Sequence, residues 1–359
     1  MRLSAPFSSE TIRVAMVQPI FNQHEASAAQ AGRSDSLVRR IVRNMAVIDW
    51  IATVYFAILA TCLLVTRGPN CWGSLKDVCI DYSMLILCLV LVRGEVVRGI
   101  ASAALYRAGI MAPIVLSYFQ LRWILPAISQ RAYDAQIYAF DLKVFHYEPS
   151  VAWDKYVTSG TTEWFAFFYF MYFIIVACNV FPILWLSGDN KLLRHFGTGL
   201  VAQFCMTHLL YLVVPGFGPY HELHFERELV GGPFWALVLQ GVHSAGALKD
   251  IFPSLHTGAP TFLAVFAFVH RKRAPFKQIW PILAFCVLQI MGATMFLRWH
   301  YLIDIVAGFA LGTFNALFWG RVVEWELARR ERLALAPVFG VAPIPALLER
   351  LRIRTRRSA

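Results

Sequence analysis

His256 stands in Phe252-Pro253-Ser254-Leu255-His256-Thr257-Gly258, and His300 in Arg298-Trp299-His300-Tyr301-Leu302-Ile303-Asp304. His300 and Asp304 are four apart, the spacing that puts two side chains on one side of a helix. A carboxylate so placed accepts the Nδ1 proton of an imidazole, fixes its tautomer and leaves Nε2 free as a nucleophile. A second imidazole can then protonate a departing alkoxide. Taken singly, each residue has a plainer reading. Asp304 alone reads as a carboxylate snorkelling or paired at a helix end. His256 alone reads as a helix-cap or interface histidine. Only their convergence makes a site.

Convergence depends on the elements around them. The chain has 359 residues, 58% of them hydrophobic and 15% charged, with a mean hydropathy of +0.55. A soluble chain usually carries roughly 25% charged residues. The apolar runs are continuous rather than alternating, so they read as membrane helices and not as barrel strands. The expected fold is all-α, a polytopic helical bundle with about seven or eight transmembrane helices. Seven runs stand out: Ala46–Thr66, Val78–Val92, Trp164–Leu186, Phe196–Val214, Pro253–Val269, Trp280–Leu297 and Leu302–Trp319. Val78–Val92 and Pro253–Val269 are short for a bilayer that asks for about 20 residues. Ile100–Phe119, which carries Arg107, is weaker and makes an eighth crossing.

The net charge of +11 is clustered in Arg33–Arg43, in the hinge Arg271–Lys277 and in Arg350–Arg357. Such clusters orient membrane helices and touch anionic headgroups; nothing else supports nucleic-acid binding. With the hinge and both termini cytoplasmic, His256 and His300 fall together on the other face. The loops Cys71–Lys76 and Tyr220–Asp250 then lie outside. This gives a basic cytoplasmic tail over residues 1–45 and a membrane domain over 46–320, with a catalytic core at about 160–320. A basic cytoplasmic tail follows at 321–359, ending in a surface helix. The cysteines inside apolar runs read as packing residues. Cys71 and Cys79 flank a polar loop, and a disulfide between them would require that loop to face an oxidising compartment.

Pro253-Ser254-Leu255-His256 followed by His300-Tyr301-Leu302-Ile303-Asp304 resembles the second and third signatures of the phosphatidic acid phosphatase type 2 superfamily of lipid phosphatases and phosphotransferases. The preceding Pro215-Gly216-Phe217-Gly218-Pro219-Tyr220 loop adds a likeness to the inositol phosphorylceramide synthase branch. The resemblance spans roughly Asp141 to Trp319 and implies a helical bundle. It implies that His256, His300 and Asp304 are catalytic. His300 attacks the phosphorus of a lipid to give a phosphohistidine, and His256 protonates the departing alcohol. A second alcohol, or water, then takes the phosphoryl group. No metal or cofactor is implied, and the expected partners are membrane lipids, a phospholipid donor and a lipid alcohol acceptor.

The chain departs from that pattern in its cations. Soluble phosphatases of the superfamily carry Arg six residues before the second His, where this chain has Thr294. The nearest replacements for a phosphate cage are Arg298 and Lys249, with Tyr220 and His221 from the Pro/Gly loop. Their plainer readings are an interfacial snorkel for Arg298 and a solvated loop charge for Lys249. His221-Glu222-Leu223-His224 lacks zinc-site spacing and reads as a loop. His208 reads as a hydrogen-bonded packing residue within a span, or as part of a cavity wall. Three functions remain in view: lipid phosphotransferase, lipid phosphatase using water, and a transporter or membrane scaffold. No internal repeat supports the last.

Overall fold

The computed structural model describes residues 36–66 and 68–358. Most of the expected N-terminal tail, residues 1–35, lies outside them. The described residues form an all-α protein whose one β-type pairing is an isolated bridge between Gly216 and Asp250. In chain order the helices are α1 (Leu37–Asn44), α2 (Val47–Thr66), α3 (Cys71–Arg93), α4 (Gly99–Ile128), α5 (Asp134–Phe145), α6 (Pro149–Ala152) and α7 (Ser159–Leu186). They continue as α8 (Asn190–Val213), α9 (Pro219–Glu222), α10 (Pro233–Ala245), α11 (Leu255–Val269), α12 (Phe276–Phe296), α13 (Leu302–Arg332) and α14 (Pro343–Ser358). Six of them, α2, α4, α7, α8, α12 and α13, are long and apolar enough to cross a membrane. The chain is an integral, multi-pass membrane bundle. Hydrocarbon cannot satisfy backbone N–H and C=O groups, so each apolar run closes its own hydrogen bonds as a helix.

The weak run around Arg107 is one of the six; α4 extends it to 30 residues. The polar stretch Cys71–Lys76 is not a loop but the first turns of α3. Cys71 and Cys79 therefore sit on one helix, about 12 Å apart along its axis, too far for a disulfide. No break falls at residue 320 either, because α13 runs on to Arg332. The loop Tyr220–Asp250 contains an apolar helix, α10.

α11 is the centre of the bundle. It has only 15 residues, and every one from Thr257 to Ala264 is buried, ringed by α13, α12, α8 and α7. Its closest partner is α13, and glycines set the approach. A Cβ on Gly308 would lie 2.4 Å from the Ser254 carbonyl oxygen, and one on Gly312 would lie 2.3 Å from that of Gly258. Membrane helices draw no hydrophobic gain from leaving lipid, so close backbone contact of this kind supplies the attraction. At the other end of the bundle buried charges do the joining. Asp49 accepts from Arg93 Nε at 2.6 Å and from the Tyr106 hydroxyl at 2.6 Å, tying α2, α3 and α4. Arg107 donates to the carbonyls of Leu184 and Phe339, which brings the segment before α14 back into the bundle.

The obstacle at residue 312 is backbone and cannot rotate away. Gly312→Val is expected to cost about 1–3 kcal/mol by forcing α11 and α13 apart. A fall in the thermal midpoint of the detergent-solubilised protein checks this, and an unchanged midpoint would mean the helices do not meet there.

Candidate active site

The two signature stretches each end in a helix start. Ser254 caps α11, its hydroxyl accepting from Thr257 N–H at 3.3 Å, and this places His256 in the first turn. Asp304 caps α13, its Oδ2 accepting from Tyr301 N–H at 2.8 Å. The starts are joined by Ser254 N–H donating to the Asp304 carbonyl at 3.0 Å. Asp141, from α5, also caps α13 through Ile303 N–H, at 3.2 Å to both carboxylate oxygens. Burial pushes the Asp141 carboxyl up to about 6, against those amide bonds.

His300 itself is not on a helix. It precedes the Tyr301 cap, so its nearness to Asp304 does not come from a shared helix side as the four-residue spacing suggested. The capping carboxylate folds back over the turn instead. A preceding reversal aims the ring. Arg298 has φ 65°, a left-handed conformation that costs roughly 1–2 kcal/mol for a non-glycine residue, and Trp299 and His300 N–H both return to the Thr294 carbonyl at 2.9 and 3.2 Å. Thr294 thus serves this turn through its backbone.

The structure brings together His256, His300 and Asp304. The His256 and His300 rings are 6.4 Å apart between centroids. His300 Nδ1 lies 3.5 Å from Asp304 Oδ2, within ion-pair range but without hydrogen-bond geometry. Catalytic contacts of this sort often tighten only when substrate binds. The rings of Tyr169 and Tyr172 each lie 4.3 Å from that of His256, whose Nε2 is buried and has no partner.

Both histidines line an apolar cavity of about 610 Å³. Tyr220 lines it too, its ring edge-on to Trp299 at 4.9 Å. His221 does not; its ring stacks on Phe217 at 4.4 Å. Arg298 and Lys249 do not line it either. Arg298 Nη2 donates to Asp154 at 2.7 Å and to the Arg227 carbonyl at 2.6 Å. Lys249 is buried rather than solvated, and its ammonium turns to the Arg131 carbonyl at 3.2 Å. The amides of the Pro/Gly loop are also taken. Asp134 accepts from Phe217 N–H at 3.0 Å and from Gly218 N–H at 2.7 Å. His208 packs in the core with its Nδ1 3.1 Å from the Tyr55 hydroxyl.

Two side chains at the site escaped the sequence reading. Asp250 lines the cavity and accepts from the Tyr118 hydroxyl at 3.2 Å. Its signal was position, three residues before Pro253 at the edge of the signature. The Trp299 indole Nε1 is a buried donor without a partner at the cavity wall.

Residues 135–318, just over half the chain, match the family model described as PAP2 superfamily. The chain belongs to that superfamily. It is a membrane enzyme of the lipid phosphatase type, a phosphatase or phosphotransferase. No curated protein and no solved structure matches it. In this PAP2 enzyme the helices α2, α3 and α4 precede the matched residues.

Burial disfavours the His300 imidazolium and holds its pKa down to about 4, while the Asp250 charge and the Ile251 carbonyl pull it back up. The ring is therefore neutral at pH 7 and gains its proton only as the pH falls through about 4. Asp250→Asn removes an anion that favours the imidazolium, so the midpoint is expected to move lower still. Histidine NMR titration of the solubilised protein checks both points; a midpoint near 6.5 would mean a solvated ring.

Proposed function

We propose that this PAP2 enzyme is a lipid phosphotransferase that moves a phospho-headgroup, such as phosphoinositol, from a phospholipid to a second lipid alcohol. The observation that carries the reading is His256 and His300 facing one apolar cavity, with Asp304 beside His300. In this reading His300 attacks phosphorus in line, Asp304 steadies the imidazolium that forms, and His256 gives its proton to the departing alcohol. The aromatic faces of Tyr169 and Tyr172 hold the His256 ring and suit a cation passing through it. In the second step His256 takes the proton of the incoming alcohol, and its oxygen displaces His300 from phosphorus.

The choice of donor follows from charge. A phosphomonoester carries about two negative charges at pH 7 and asks for an arginine or lysine clamp. Among the described residues, the cavity's one Lys or Arg side chain is Arg107, at its far end. A phosphodiester carries a single charge. It suits the neutral donors at hand, the Trp299 indole and the Tyr220 hydroxyl. Both alcohols are then lipids, in keeping with the apolar walls. The proposed orientation puts both termini in the cytoplasm and the site on the other face, following the charge clusters.

A labelled-headgroup transfer assay in membranes tests the reading, with phosphatidylinositol as donor and a panel of lipid alcohols. A new phospholipid is expected from the wild type, with a loss of about 10³-fold or more in His300→Ala. Free phosphate or a water-soluble headgroup as the sole product would make the enzyme a hydrolase. Full activity in a well-folded His300→Ala protein would remove the mechanism.

A further inference from the structure

The cavity does not stop at the catalytic groups. From His256, His300 and Trp299 it runs between α4 and α7 to Arg107, Leu184 and Trp185. α4 and α7 touch at few points along this line, with α8 closing the back through Leu200, Val201 and Phe204. At the catalytic end, Tyr169 of α7 lies against His256, and sixteen residues on, about 24 Å at 1.5 Å per residue, Trp185 marks the floor. On α4 the corresponding stretch from Tyr118 to Arg107 is eleven residues, about 16 Å. The walls between are apolar, and small side chains make the room: Ala108 and Ala112 on α4, Ala177 on α7.

The floor is closed and polar. The Arg107 side chain is fixed by the carbonyls of Ala103, Leu184 and Phe339. The flank, by contrast, is open to lipid. Phe119, Phe173 and Phe181 along the rim are each about half exposed. A chain can therefore enter sideways from the bilayer, without threading from the water.

We propose that this slot receives one long hydrocarbon chain of the lipid substrate and measures it against the Arg107–Trp185 floor. The proposal rests on the phosphotransferase reading for the identity of the catalytic end. In a two-step transfer through His300 the leaving and incoming alcohols occupy the same position in turn, so one slot serves both. Carbon–carbon bonds of about 1.5 Å advance an extended chain by roughly 1.25 Å per carbon. The depth then corresponds to about 13–19 carbons. Lipid tails are as apolar as the slot, so selection comes from fit. A short chain leaves the lower slot without contacts, and a long one must bend at a polar floor. One wall comes from α4, which lies outside the matched residues 135–318. This enzyme's chain preference is therefore built in part by its own N-terminal helices.

The test uses the full-length protein in nanodiscs and a phospholipid with a 16-carbon chain ending in a photoreactive diazirine. Labelling of Leu184 or Trp185 is expected. In Ala177→Trp, which obstructs the slot midway, the label should climb towards Phe173 and Tyr118. The ratio of 16-carbon to 8-carbon turnover should also fall at least tenfold. Label confined to outward-facing residues such as Ile282 and Leu288, unchanged in Ala177→Trp, would overturn the slot. His300→Ala separates the two ideas. Label at the floor with chemistry indifferent to His300 would leave the slot and remove the phosphotransferase reading. Chemistry that needs His300 with label elsewhere would do the reverse.

Discussion

Everything at the catalytic end depends on how closely α11 and α13 approach. Each helix begins at a signature, and each signature delivers one histidine. The rings can share a cavity only if the two helix starts lie side by side. Gly308 and Gly312 allow this by leaving no Cβ between the α13 backbone and the carbonyls of Ser254 and Gly258. The bond from Ser254 N–H to the Asp304 carbonyl then fixes the register. In lipid this contact has no hydrophobic substitute, because separated helices lose nothing to the solvent. The carboxylate beside His300 is also the cap of α13, so the fold of the helix start and the pose of the ring are set by one side chain.

A second constraint is the scarcity of free charge. The cations near the site already have partners: Arg298 holds Asp154, and Lys249 holds backbone carbonyls. The Pro/Gly loop offers its amides to Asp134 rather than to the cavity. Arg298 and Lys249 are buried, and each pairing is stronger than it would be in solution. At the cavity the Trp299 indole, His256 Nε2 and His300 Nδ1 are buried and unpaired, and so are Asp304 Oδ1 and one nitrogen each of the Arg107 and Arg298 guanidinium groups. Among the described residues, the cavity wall therefore carries one acid, Asp250, and one guanidinium, Arg107, at the far end.

Much of this was legible in the residues. Continuous apolar runs gave the bundle, and the two histidine signatures pointed to one face because an apolar run, a basic hinge and a second run separate them. The reading failed where side chains meet across elements. Spacing alone put His300 and Asp304 on one helix side, whereas a cap and a left-handed turn at Arg298 bring them together. Arg298 and Lys249 have the right charge and the right address, but their direction is decided by Asp154 and by carbonyls far away in sequence. Asp250 stayed hidden among loop residues because only its place on the cavity wall distinguishes it. Polar residues at Cys71–Lys76 suggested a loop, yet a helix end tolerates them.

α10 is fastened at both ends. The Glu163 carboxylate, from α7, takes the amides of Gly232, Phe234 and Trp235 at its start, and the Arg122 guanidinium, from α4, takes the carbonyls of His243 and Ser244 at its finish. Each charge complements the dipole at its end of the helix. The two fasteners belong to opposite walls of the slot, so α10 is a crossbeam of about 20 Å between them. The beam is itself part of the passage wall, through Leu237, Val238, Gly241 and Val242, and its joints are a carboxylate on one side and a guanidinium on the other.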